Sequence, residues 1–226
     1  MKITFLGHAS LLIESNNKIL LVDPFISANP KASHININDL KPDYILLTHA
    51  HQDHTLDVEP ILQNNSNSII ICNAEISTYY ISKGYKSHMM NHGGSWQFDF
   101  GKIKMINAIH SSSFADGTYG GNPAGFVIEN GQKNIYIAGD TALTMDMKLI
   151  PMRTKLDLAI LPIGDNFTMD IDDAIIAADF VQCNKILGYH YDTFGFIEID
   201  KEIAKQKFAT SKKELILLEI GEQITL

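Results

Sequence analysis

Short apolar runs broken by polar turns open the chain. Residues 2–7 (KITFLG), 10–15 (SLLIES) and 18–23 (KILLVD) alternate with breaks such as Asn16-Asn17, a pattern that predicts a meander of antiparallel strands. Residues 42–49 (PDYILLTH) predict a buried strand that ends on a histidine. Helices are predicted over 57–65 and 74–84, on either side of a strand at 68–73 (SIIICN). In the second of these helices Ile76, Tyr79 and Tyr80 recur at helical spacing, and Gly84 supplies a stop.

The second half restarts with strands at 95–100, 102–110, 125–130 and 133–140. Asn130-Gly131 between two apolar runs is a hairpin signal, because both residues tolerate positive φ. Strands at 156–164 and 184–190 then flank a helix over 170–183, with Asp172 or Asp173 placed to cap it. A last amphipathic helix over 200–210 and a last strand over 214–220 complete the order. No low-complexity linker or composition break divides the chain, so residues 1–226 read as a single domain. Two sheets face to face with helices outside satisfy this order, which makes the expected fold an α/β four-layer αβ/βα sandwich.

Composition narrows the setting. At 226 residues and 45% hydrophobic, the chain can bury one sizeable core. No segment approaches the roughly 18 consecutive apolar residues of a membrane span. MKITFLGHAS lacks the apolar core of a signal peptide, and Cys72 and Cys183 stand apart without metal-knuckle spacing. The expectation is a cytoplasmic protein with reduced, buried thiols. The net charge of −8, from 26 acidic and 18 basic residues, argues against a long nucleic-acid footprint. It leaves a small-molecule substrate open, even an anionic one, because bound cations would offset part of the aspartate charge. A homo-oligomer is compatible with all of this.

One stretch carries chemistry. His49-Ala50-His51-Gln52-Asp53-His54 places four metal-competent side chains in six positions directly after a strand. In extended backbone, His49 and His51 project to one side. A bend after Gln52 turns Asp53 and His54 toward a second point, so one peptide can serve two adjacent cations. Imidazole and carboxylate ligands suit zinc first, with manganese, iron or nickel as alternatives. Further ligands must come from other strand ends, and His110, Asp140 and His190 each sit at the C-terminal tip of an apolar run. Ser111–Ser113 read as turn residues rather than a catalytic serine, and 111–123 as a mobile lid over the mouth. His34, His88 and His92 read as surface residues.

HxHxDH at 49–54, followed by His110, the GDT of Asp140 and the GYH of His190, resembles the metallo-β-lactamase superfamily. FLGHAS, VDPF at 22–25, LPIGDNFTM at 161–169 and HYDTF at 190–194 resemble its small bacterial metal-dependent hydrolases, which are related to ascorbate-6-phosphate lactonases and, more distantly, to N-acylphosphatidylethanolamine phospholipase D. The resemblance implies two divalent cations, one on His49, His51 and His110, the other on Asp53, His54 and His190, with Asp140 bridging. It implies hydrolysis by an activated water that Asp53 orients or deprotonates, acting on an ester, lactone or phosphodiester of a small substrate, phosphorylated or not. Asp23 matches a position that buttresses the ligand loop. His8 in GHAS and Asn166 (or Asp165) in GDNF are the candidates for the substrate side. The alternative within the same superfamily is a metal-dependent nuclease. A di-iron redox role is disfavoured, because nothing in the chain resembles a flavin domain.

Overall fold

The structure, a computed structural model, describes residues 1–226. The chain lays down β1 (Lys2–Gly7), β2 (Ser10–Ser15), β3 (Lys18–Val22) and β4 (Tyr44–Leu46). After α1 (Gln52–Thr55) and α2 (Val58–Asn64) come β5 (Ile69–Asn73), α3 (Ala74–Ser82) and β6 (Ser87–Met90). The second half supplies β7 (Ser95–Phe98), β8 (Gly101–Asn107), β9 (Ala124–Glu129), β10 (Asn134–Ile137), β11 (Leu158–Pro162), α4 (Ile171–Phe180), β12 (Lys185–Tyr189), α5 (Lys201–Thr210), β13 (Glu214–Ile216) and β14 (Gln223–Thr225). Two seven-stranded sheets result, ordered β14-β1-β2-β3-β4-β5-β6 and β13-β12-β11-β10-β9-β8-β7.

Side-chain alternation builds the layers. In β10, Ile135 and Ile137 face the core between the sheets while Tyr136 faces outward; in β11, Leu158 and Ile160 face in while Ala159 and Leu161 face out. Leu20 and Val22 of β3 likewise point in and Leu21 points out. Three apolar clusters follow. One lies between the sheets, one under α2 and α3 with Val58, Ile61 and Ile76, and one under α4 and α5 with Ala174, Ala177 and Phe208. Three buried interfaces define four layers, the expected sandwich. Cys72 and Cys183 are both free and buried.

The turns follow their residue types. Asn16 and Asn17, at φ 49° and 62°, close the β2–β3 hairpin across Ser15 and Lys18. Asn130 and Gly131 lie at the β9–β10 turn, where Asn130 Oδ1 accepts from the amides of Gln132 and Lys133. The cap of α4 differs from the sequence reading. Asp170 is the N-cap and accepts from Asp173 N, so Asp172 and Asp173 sit inside the first turn. The strand expected over 214–220 ends at Ile216; the chain then turns and β14 pairs with β1, completing the first sheet. Both β14 and β6 are too short and too polar to carry a readable alternation.

Strand direction positions the site. β1 runs antiparallel to β2, β2 antiparallel to β3, and β3 parallel to β4, so β1, β3 and β4 finish at one edge. By the same logic β8, β10, β11 and β12 finish together. Backbone bonds tie the two edges to each other: Ala124 N donates to Thr48 O at 2.9 Å, and His190 N donates to His8 O at 2.8 Å. No helix is long and apolar enough to cross a membrane.

Candidate metal centre

Each expected ligand leaves the C-terminal end of a strand at that shared edge. His49 and His51 follow β4, and His51 caps α1, whose first turn holds Asp53 and whose last holds His54. His110 follows β8, Asp140 follows β10 and His190 follows β12. Ring nitrogens of His49, His51 and His110 converge within 4.8 Å of one another, as do the ligand atoms of His8, Asp53, His54 and His190. Asp140 lies between the groups. Its Oδ2 is 3.3 Å from His54 Nε2, 2.9 Å from His190 Nε2, 3.7 Å from His110 Nε2 and 4.0 Å from His49 Nε2.

Asp23 sets the proton positions on two of these rings. It is fully buried, with Oδ1 accepting from Thr48 N at 2.9 Å. Oδ2 accepts from Thr48 Oγ1 at 2.6 Å and from His54 Nδ1 at 2.9 Å. Because the Thr48 hydroxyl spends its one proton on Asp23, it can only accept from His49 Nδ1, 3.0 Å away. Both imidazoles therefore carry their proton on Nδ1 and direct Nε2 at the centre. Asp23 also lies close enough to His49 and His54 to suggest a third group, but its oxygens are already engaged by these donors, so it is a positioning residue. Asp23→Asn puts an amide donor against donors, and divalent-cation affinity should fall about 10- to 100-fold in a chelator competition. Undiminished affinity would reduce Asp23 to a turn residue.

His8 is placed differently from its expected substrate side. Its ring is shut off from solvent beneath Asp53, with Nε2 3.0 Å from Asp53 Oδ2 and Nδ1 2.9 Å from Thr193 Oγ1. An ionised Asp53 only accepts, so His8 Nε2 is the donor and holds that carboxylate in place. Asn166 stands exposed at φ 53° in the turn after β11, and its hydrogen bond is local, from its amide to Asp165 Oδ1. Spacing alone did not reveal Thr48, Ser111 and Thr193. Ser111 Oγ meets His51 Nε2 at 3.2 Å, and Ser112 Oγ accepts from Ala50 N. The 111–123 segment, expected to be a mobile lid, is tied down instead. Phe114 is buried and stacks on Tyr79 with ring centroids 3.7 Å apart, and Asn73 Nδ2 donates to Gly120 O and Asn122 O. His34 is exposed as read, whereas His88 and His92 are half-buried beside Trp96 and Pro123.

The charges describe what the donor set fits. Burial pushes His49 well below its usual value and lowers His51 and His110 as well. Burial, with His190 adding to it, brings His8 down to about 4. Burial also opposes charge on His54, but Asp140 and Asp23 outweigh it and raise that ring well above its usual value. Burial favours the neutral form of Asp53 and Asp140, yet neighbouring imidazoles hold both carboxyls below the usual range, His54 and His8 for Asp53, His190 and His54 for Asp140. No lysine or arginine pairs with any of these carboxylates. His54 Nε2, Asp140 Oδ1 and both ring nitrogens of His190 are buried without a hydrogen-bond partner, the 2.9 Å His190–Asp140 approach being off-line for one. Each unsatisfied group costs about 1–3 kcal/mol. His8, Asp23 and His190 also hold φ of 55°, 44° and 56°, a conformation non-glycine residues adopt at some cost. Buried negative charge, lone pairs aimed inward and strained backbone at one point fit a bound cation.

Residues 2–190 match the family model of the β-lactamase superfamily domain. The chain belongs to the β-lactamase superfamily. A superfamily relative, the UPF0173 metal-dependent hydrolase of Flavobacterium johnsoniae, is 70% identical over 226 residues, covering 100% of both chains. Igni18, a metallo hydrolase from the hyperthermophilic archaeon Ignicoccus hospitalis, superposes with a TM-score of 0.89 at 31% identity, over 99% of this chain and 97% of that one. The metallo-β-lactamase fold protein YhfI from Bacillus subtilis shares the fold at a TM-score of 0.77 and 17% identity, over 99% of each chain. The sandwich is thus the metallo-β-lactamase fold, and this superfamily member stands among metal-dependent hydrolases.

Proposed function

We propose that the chain hydrolyses a small ester, lactone or phosphodiester with two divalent cations, zinc before manganese, iron or nickel. His49, His51 and His110 would hold one cation and Asp53, His54 and His190 the other, with Asp140 shared. The observation that carries this reading is the position of Asp140, whose Oδ2 stands within 4.0 Å of one nitrogen in each group. When bound, such cations supply Lewis acidity, which lowers the pKa of a water and stabilises charge on the attacked group.

The chain's own residues do the rest. Asp23 fixes the tautomers of His54 and, through Thr48, of His49. His8 holds Asp53 by Oδ2, which leaves Oδ1 free of protein hydrogen bonds on the one partly exposed carboxylate of the centre. Asp53 Oδ1 is therefore the acceptor that can orient an attacking water. Ser111 Oγ meets His51 Nε2 at 3.2 Å, but that imidazole is among the proposed cation donors and so is not free to act as a base, and Ser112 is engaged with Ala50 N and Gly120 O; no serine nucleophile is therefore assigned. The site favours a small substrate over a nucleic acid, because no lysine or arginine reaches the cluster to meet a phosphate backbone.

Metal content tests the reading. Protein loaded with zinc or manganese and freed of excess should retain about two cations per chain, because the donor set exceeds one tetrahedral site. His49→Ala should release one cation more readily than the other. Saturation at one cation in the parent protein would overturn the dinuclear reading, and full retention by the variant would overturn the assignment of His49. A panel of esters, lactones and phosphodiesters then identifies the bond cleaved.

A further inference from the structure

We propose that Phe167, Phe194 and Phe196 form an apolar wall of the substrate site, which selects a neutral substrate bearing an aromatic or other bulky apolar group over a phosphorylated one. The inference rests on the hydrolytic reading above and names the substrate class for that site.

The chain has 11 phenylalanines, and the exposed ones are these three, at 51%, 38% and 77% exposure. An exposed ring forgoes the stabilisation that burial provides, and several close together mark a surface that meets an apolar partner. Their placement points to the site. Phe194 lies four residues beyond His190, and its ring is 5.3 Å from His8 and 6.1 Å from Phe25. Phe167 lies on the loop that begins at Gly164, packed directly on the carbonyl of His190, and returns through Met169 N to Thr141 O beside Asp140. The two loops meet where the Phe167 and Phe196 rings stand 6.5 Å apart, edge to face. Ile109, 51% exposed, sits next to His110.

The loops hold these rings in place without covering them. Asp192 N donates to Ile197 O at 2.8 Å, Ile197 N donates to Phe194 O at 3.0 Å, and Ile199 N donates to Asp192 Oδ1 at 3.0 Å. Thr193 is fastened to His8, and Asp165 N to Met169 O. A wall ordered before binding spares the ligand that ordering cost. Charge argues in the same direction. The lysines that touch the Phe194 loop are engaged, Lys31 with the Asp192 carbonyl and Lys201 with Asp192 and Glu219. Beyond the proposed cations, a phosphorylated substrate would find no free basic side chain among the cluster's contacts to hold its further charge.

Binding of matched probes tests this apart from turnover. Acetohydroxamate and phenylacetohydroxamate differ by one aromatic ring, and phenyl phosphate adds the charge; each is titrated by calorimetry and NMR against metal-loaded and metal-free protein. On the parent protein the aryl hydroxamate should bind about 10- to 100-fold more tightly than the acetyl one, the increment expected for burying a ring. The exposed positions tolerate replacement, so a Phe167→Ala, Phe194→Ala, Phe196→Ala triple variant should fold and lose most of that ratio, whereas Phe194→Leu keeps much of it. Equal affinities on the parent protein, an unchanged ratio in the triple variant, or tighter binding of phenyl phosphate would each overturn the proposal. Failure of the hydrolytic reading looks different: no ester, lactone or phosphodiester turns over, while the aryl preference persists.

Discussion

Asp53→Asn should leave the fold and the His49, His51 and His110 group intact and slow turnover about 10²- to 10⁴-fold, the range for a positioned acid–base group. The substitution keeps size and shape. It removes a negative charge from the centre and turns one of the two acceptor oxygens into an amide donor. His8 Nε2, which donates to Asp53 Oδ2 at 3.0 Å, can still be met by the amide oxygen, so the side chain stays in place and Oδ1 is the position that changes character. A loop residue that merely starts α1 would give a different result, a small loss of stability with near-normal turnover. Turnover and metal content measured on the same sample separate the two. Parent-like kcat in a metal-replete Asp53→Asn protein would take Asp53 out of the mechanism.

Gly164→Ala should disturb the centre from behind. A Cβ at Gly164 would stand 2.2 Å from the carbonyl oxygen of His190 and 3.0 Å from Ile197 Cβ. The near atom is backbone, so relief requires moving His190 itself, whose ring faces Asp140 Oδ2. Overpacking of this kind costs about 1–3 kcal/mol. Displacing a proposed ligand by such a route should weaken cation binding at the Asp53, His54 and His190 group about 10- to 100-fold, as loss of an orienting contact does. Gly195→Ala is the matched control on the neighbouring loop, because a Cβ there meets nothing within 4 Å and the backbone needs no positive φ. Thermal unfolding and cation titration of both variants check the contrast. Equal behaviour would show that the His190 loop adapts freely and that Gly164 does not hold it.

Wherever a signal was local, the sequence carried it. Period-two alternation is a property of neighbours, so Leu20, Leu21 and Val22 or Leu158, Ala159 and Ile160 already state which faces are buried, and the layers follow. HxHxDH is local too, since ligands within six positions after a strand need only a bend to face two points, and α1 supplies that bend at Gln52. His110, Asp140 and His190 were legible as strand tips. Asp23 could be matched to a buttress, though its proton accounting through Thr48 could not.

What only the tertiary structure decided depends on chain crossings that no local pattern records. His8 stands 45 residues before Asp53, and its placement beneath that carboxylate arises because β1, β3 and β4 end at one edge. Asn166 was legible as a substrate-side candidate and its neighbour Phe167 was not; the loop's return to Thr141 brings the Phe167 ring to 6.5 Å from Phe196, a pairing across two loops. The 111–123 segment has the glycines and serines of a lid, but Phe114 against Tyr79 holds it, a contact between residues far apart in sequence. Alternation and motif spacing thus specified the layers and the donor set, because both are set by covalent neighbours. Which donors face one another, which protons they carry and what walls surround them came from strand direction and packing, because those bring together residues that sequence order keeps apart.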